Sequence, residues 1–191
     1  MFTVALRLLV WFTILTGVIY PVVVTAVGHG LFAEKALGSV VSVGGKPVGS
    51  MLLAQKFADP KYFQPRPSAG DTPYATVPSA ASNAGPTSEA LKKAVDERAV
   101  DLTQRFSARP GVGLPSDLLT TSGSGLDPHI SPEAARMQIG SVAKARGFDA
   151  AKTKQLNDLV ESMTEGPQFG FLGDPRVNVL QLNLALDAQI K

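Results

Sequence analysis

The sequence predicts an α/β protein on a membrane tether: one N-terminal transmembrane helix followed by a single mixed α/β soluble domain with short strands and three to four helices. Three observations lead there. Leu8–Val27 carries no charged side chain, and as a helix it is about 30 Å long, the thickness of a bilayer's hydrocarbon core. Ser39–Val48 holds a β-branched run closed by Gly44-Gly45, the signature of a hairpin. From Ser88 onward, capped segments with helical apolar spacing alternate with Gly/Pro-rich breaks.

The span comes first in the chain. Trp11 and Tyr20 are placed as headgroup-level anchors, and local bending of the helix accommodates Pro21. Val24-Thr25-Ala26 offers a signal-peptidase site, but the apolar run exceeds a signal core and its basic leader is Arg7 alone, so the segment is read as retained. Arg7 and the terminal amine favour an inside N-terminus, while His29–Ser39 adds one Glu and one Lys with no basic excess. Residues 1–7 are therefore expected in the cytoplasm, 8–27 in the bilayer, and 28–191 outside the cytoplasm as the α/β domain.

After the strand, turn and second strand through Val48, the segment MLLAQKF places Leu52, Leu53 and Phe57 on one helical face and is expected to be a helix ending by Asp59-Pro60. Residues 59–86 are rich in proline, with Tyr62, Phe63 and Tyr74 interleaved; this reads as an ordered, aromatic-studded docking loop rather than a linker. Ser88 caps a helix from Glu89 to about Phe106, with Leu91, Val95, Leu102 and Phe106 facing the core. Arg109–Pro115 breaks the chain and Asp117–Thr121 is expected to be a short strand. Ser131-Pro132-Glu133 starts a helix that Gly147 stops, and Asp149 caps the next, with Leu156, Leu159, Val160 and Met163 at helical spacing. Gly166–Pro175 is a loop, Arg176–Asn178 a short strand, and a terminal helix closes the chain.

Composition narrows the chemistry. Eighteen Lys+Arg against 16 Asp+Glu leave a net charge of +2, so neither a nucleic-acid partner nor a polybasic lipid-binding surface is indicated. The absence of cysteine removes disulfides, thiol catalysis and Cys-ligated zinc, and two histidines, His29 and His129, are too few for a His-rich metal centre. Ser124, Asp127 and His129 share a Gly-rich loop, yet Gly123-Ser124-Gly125 is no nucleophile elbow. Ser141 and Lys144 form an S-x-x-K match without its S-D-N and K-T-G companions, and no phosphate-cradling G-x-x-x-x-G-K-[ST] exists. Asp117, Asp127 and Asp174 lack calcium-loop spacing. The residues read as a non-catalytic domain with no cofactor or metal of its own; a membrane-anchored serine hydrolase and a free-standing periplasmic binding module are the alternatives. Within the span, Thr13, Thr16 and Gly17 form a small polar face suited to contact with a partner helix.

Several segments in order carry a resemblance. They are Gly49-Ser50 with Leu52, Gln55 and Phe57; Tyr62-Phe63 with Arg66-Pro67-Ser68; Ser82-Asn83 with Gly85-Pro86; SGSGLDPHIS at 122–131; Gln138 with Val142-Ala143-Lys144-Ala145-Arg146; and RVNVLQLNLALD at 176–187. Together they resemble the C subunit of the Kdp-type potassium-transporting P-type ATPase, over nearly the whole chain. One departure is visible: Ser141 stands before Val142 where the family pattern has Arg. The resemblance implies a single-pass accessory subunit of a bacterial inner-membrane complex, in contact with membrane lipid, whose partners are a potassium-channel-like subunit and an ATP-hydrolysing P-type subunit. It implies a role in assembling those two and in raising the ATP affinity of the second, with ATP and potassium handled by the complex. Tyr62, Phe63 and Arg66 are then further partner-contact candidates, and Gln138 and Gln55 candidates for touching nucleotide, although a lone Gln on a helix is expected on a solvated face.

Overall fold

In the computed structural model, which describes residues 1–70, 72–77, 79–106 and 113–190, the chain forms two compact units, Met1–Val48 and Gly49–Lys191. The first is dominated by a continuous 30-residue helix, Phe2–Leu31, with a mean hydropathy of 2.1 over its most apolar window and none of that window buried. It extends past the charge-free run at both ends and comprises α1 (Phe2–Ile14), a π-helical turn (Leu15–Ile19) and α2 (Tyr20–Leu31). The wider turn falls immediately before Pro21, whose missing N–H and bulky ring disrupt ordinary pairing to the preceding turn. The Thr13 and Thr16 hydroxyls donate to the Leu9 and Phe12 carbonyls one turn below, at 2.8 and 2.6 Å. A one-turn helix α3 (Ala33–Ala36) leads to the hairpin β1 (Val40–Val43) and β2 (Lys46–Ser50), turned at Gly44-Gly45 as expected.

The second unit is a mixed α/β body. Its sheet has three short antiparallel strands in the order β3 (His129–Ile130), β5 (Arg176–Asn178), β4 (Thr164–Glu165), with Ile130 and Thr164 both opposite Val177. Around it lie α4 (Glu89–Phe106), the one-turn α5 (Ser116–Leu119), α6 (Pro132–Arg146), α7 (Ala150–Ser162) and α8 (Val179–Gln189). The boundaries follow local chemistry. The Ser131 hydroxyl accepts the Ala134 N–H at 3.0 Å, the Asp149 carboxylate accepts the Lys152 N–H at 2.8 Å, and the Asn178 amide oxygen accepts the Gln181 N–H at 3.1 Å. Gly147, at φ 67°, ends α6 in the left-handed region. Helix α6 is the centre of the body: Ala134, Ala135, Ile139, Val142 and Ala143 join Leu156, Val160, Val177, Leu182 and Leu186 in one apolar core.

Two expected elements differ. Residues 51–57 are not helical: after a turn closed by the Leu53 N–H on the Ser50 carbonyl, the Ala54 N–H donates to the Leu126 carbonyl at 2.9 Å and the Met51 carbonyl accepts from the Asn178 side chain at 2.9 Å. Those long-range bonds hold the backbone extended against its helical spacing. Residues 117–121 are not a strand, because α5 directs the Asp117 carboxylate onto the Ser131 N–H and hydroxyl at 2.7 and 3.1 Å, bracing the start of α6. Of the expected break at Arg109–Pro115, residues 109–112 lie outside the described residues.

Candidate functional site

The proline-rich stretch 59–86 is where most of the singled-out residues meet. Its backbone at residues 62–64 is extended and lies between α6 and α8. The Phe63 N–H donates to the Asn183 side-chain oxygen at 2.8 Å and the Asn183 amide nitrogen donates back to the Phe63 carbonyl at 3.0 Å. One residue on, the Gln64 N–H donates to Gln138 Oε1 at 2.7 Å and Gln138 Nε2 to the Gln64 carbonyl at 3.1 Å. Successive residues of an extended chain point their polar groups to opposite edges. One carboxamide on each edge therefore supplies what a neighbouring strand would supply in a sheet.

Both amides are buried, Gln138 at 0% and Asn183 at 2% relative exposure, so Gln138 is not on the solvated face expected for it. Its position follows the apolar stripe of α6, between Ala134, Ala135 and Val142. Gln55 is not brought near it; it lines a separate groove with Lys56 and Tyr74, its side chain lying where a Cβ on Gly49 would project.

On either side of this stitch, charged pairs anchor the same segment. Tyr62 donates its hydroxyl to Asp187 at 2.9 Å, Asp187 accepts from Arg146 at 2.6 Å, and the Arg146 guanidinium lies 5.1 Å from the Tyr62 ring centre. The Asp187 hydrogen bond, reinforced by desolvation and the carboxylate's charge, raises the Tyr62 phenol above its ordinary value. Phe63 is wholly buried in the core. Arg66 pairs with Asp127 at 3.1 Å, and the Ser68 hydroxyl donates to the Gly125 carbonyl at 2.8 Å. Gly125 has φ 69°, and a Cβ there would meet the Ala80 carbonyl oxygen, so the glycine of SGSGLDPHIS is required by close approach as well as by conformation. Burial alone would raise the Asp127 carboxyl; hydrogen bonds from the His129 side chain and N–H, with the Arg66 guanidinium, outweigh it and hold the group below the usual carboxylate range.

An open cleft of about 730 Å³ lies beside Arg66, Asp117, Asp127, His129, Glu133 and Arg176. Its polar groups are largely committed to one another. Asp117 serves Ser131, Asp127 serves Arg66 and His129, and Arg176 pairs with Glu165 at 3.0 Å. Ser124, the candidate nucleophile, accepts the Leu126 N–H at 3.1 Å in a local turn. Ser141 and Lys144 sit one turn apart on α6. Among the described residues, no three His, Asp or Glu side chains converge to hold a metal ion.

A family model described as K+-transporting ATPase, c chain, matches residues 2–188, virtually the whole sequence. The chain belongs to the KdpC family. Proteins named potassium-transporting ATPase KdpC subunit are similar to it along their length. One from Methylococcus capsulatus is 52% identical over 186 residues, covering 96% of this chain and 94% of that protein. One from Rhodospirillum rubrum is 50% identical over 185 residues, covering 96% and 93%. One from Rhodopseudomonas palustris is 44% identical over 196 residues, covering 96% and 94%.

Within this KdpC-family chain, Tyr62, Phe63, Gln64, Arg66 and Ser68 thus fasten the start of the proline-rich stretch to the body. Sequence reasoning singled out Tyr62, Phe63, Arg66, Gln138 and Asp127, the first three as partner contacts, whereas the fold engages them internally; it did not single out Asn183 and Asp187. A usable signal existed: Asn183 and Asp187 are one helical turn apart and interrupt the leucine-rich run of the closing helix.

Two outcomes follow. Asn183→Leu keeps the branched heavy-atom outline of the side chain but strands the N–H and C=O of Phe63, so a loss of about 2–4 kcal/mol is expected, read from urea unfolding in detergent, together with faster amide exchange at Phe63. For Asp127, the folded value lies below the unfolded one, so its contribution is complete above about pH 4 and is lost as pH falls through the folded value. The decline in urea midpoint between pH 6 and pH 3 should therefore be smaller in Asp127→Asn than in the wild type; equal declines would show that the bridge adds nothing.

Proposed function

We propose that the chain is a single-span, non-catalytic subunit of an ATP-driven potassium transport complex in a bacterial inner membrane. Its N-terminus is cytoplasmic, its span covers Leu8–Val27, and residues 28–191 lie on the extracytoplasmic side. It assembles and stabilises a potassium-channel-like subunit and an ATP-hydrolysing P-type subunit, and raises the ATP affinity of the latter. Family membership and the unburied apolar helix support the first part of this reading.

The observation that carries the rest is the occupation of Gln138. With both its amide groups committed to the Gln64 backbone in a buried position, it has nothing to offer a nucleotide. The effect on ATP affinity is therefore indirect: the helix, or the outer domain, binds one conformation of the hydrolysing subunit better than another and so shifts its equilibrium. The contact face of the helix is the one with Thr13, Thr16 and Gly17. The two hydroxyls are satisfied within the helix, and nothing lies within 4 Å of where a Gly17 Cβ would be, so a neighbouring helix can approach the backbone closely.

Photolabelling the complex with an azido-ATP analogue in sealed inverted vesicles should mark the hydrolysing subunit and leave this chain unmarked; a labelled Gly49–Lys191 body would overturn both the topology and the indirect mechanism. Gly17→Leu should lower recovery of intact complex in mild detergent severalfold, whereas Leu15→Phe on the opposite face leaves it unchanged. Equal recovery of the two variants would remove this face as the contact.

A further inference from the structure

Residues 167–173 form a small projecting loop that nothing in the chain's own fold explains. Gln168 and Leu172 exchange both backbone hydrogen bonds at 2.9 Å, and the Gly170 and Phe171 N–H groups donate to the Pro167 and Gln168 carbonyls at 3.1 and 3.2 Å. The turn is therefore closed four times over and rigid for its size. At its tip Phe169 and Phe171 are 87% and 76% exposed, with Leu172 half exposed beside them. Phe169 also has φ 54°, in the left-handed region where glycine is the unstrained residue. A large apolar side chain thus occupies a position where the backbone favours having none, and it is held in water.

We propose that this tip is a preformed anchor that inserts Phe169 and Phe171 into an apolar pocket on another subunit of the same complex. Charge separates this occupant from a lipid surface. No Lys or Arg occurs between Lys154 and Arg176; Glu161 pairs with Arg136 and Glu165 with Arg176, and the other charges of the segment are the acidic Asp158 and Asp174. An anionic headgroup layer repels such a loop, and interfacial insertion ordinarily pairs aromatic residues with basic ones. Area separates it from a second copy of this chain. Two phenylalanines and a leucine bury roughly 400 Å², about half of what one side of a stable free-standing interface buries. An anchor of that size holds only a partner already kept at high local concentration by another attachment, and the membrane helix supplies one. Rigidity in the free state removes the ordering cost of docking. The inference rests on the reading of the chain as a subunit of the complex.

Phe169→Gly provides the discriminating variant, because it deletes the side chain while relaxing the backbone, so folding is unharmed or improved. It should leave amide exchange at Phe63 and Gln64 unchanged and weaken retention of the other subunits on the affinity-purified full-length chain by about tenfold, the size of a modest hot spot. A benzophenone amino acid at position 171 in the purified complex should crosslink to one of those subunits. Crosslinks only to lipid or to a second copy of this chain, no crosslink at all, or full retention with Phe169→Gly, would each overturn the anchor while leaving complex membership intact. A wild-type chain that purifies without the other subunits would overturn both.

Discussion

The body of this protein depends on two buried carboxamides. An extended stretch of backbone at residues 62–64 runs between two helices, neither of which has a free ladder of N–H and C=O groups to pair with it. A buried strand without partners is costly at every polar atom. Gln138 from one helix and Asn183 from the other satisfy adjacent residues completely, and this permits Phe63 to enter the core at 0% exposure. Once that position is set, Tyr62 falls beside Asp187 and Arg146, Arg66 beside Asp127, and Ser68 against Gly125. A proline-rich segment with no regular structure is in this way made part of a unique fold.

How much of this could be read from residues alone divides along the range of the interactions. Elements whose ends are decided within one turn were readable: the caps at Ser88, Ser131 and Asp149, the glycine stop at Gly147, the Gly44-Gly45 hairpin, and the strand and helix after Arg176. Elements decided across the fold were not. MLLAQKF has helical spacing, but the Leu126 carbonyl and the Asn178 side chain draw it out straight; where a strand was expected, Ser116–Leu119 folds as a turn of helix whose Asp117 braces Ser131, 14 residues away. Gln138 illustrates the same limit at the site. A polar side chain on a helix reads as solvent-facing until the backbone that needs it is known to pass there.

Several of the residues that carry the family resemblance, Gln138, Arg66 and Ser68 among them, hold the fold together in this chain. Asp127, His129 and Ser124 stand close in sequence, yet the carboxylate and the hydroxyl are engaged with local backbone. Among the described residues, exposed apolar side chains are concentrated in the long apolar helix and at the phenylalanine tip.

The π-helical turn ahead of Pro21 has a geometric consequence for the helix. Admitting one additional residue to a turn advances every following side chain by about 100° around the axis. The stripe that contains Thr13 and Thr16 is thus out of phase with any stripe continued past Tyr20. One straight stripe of side chains therefore does not run the length of the helix.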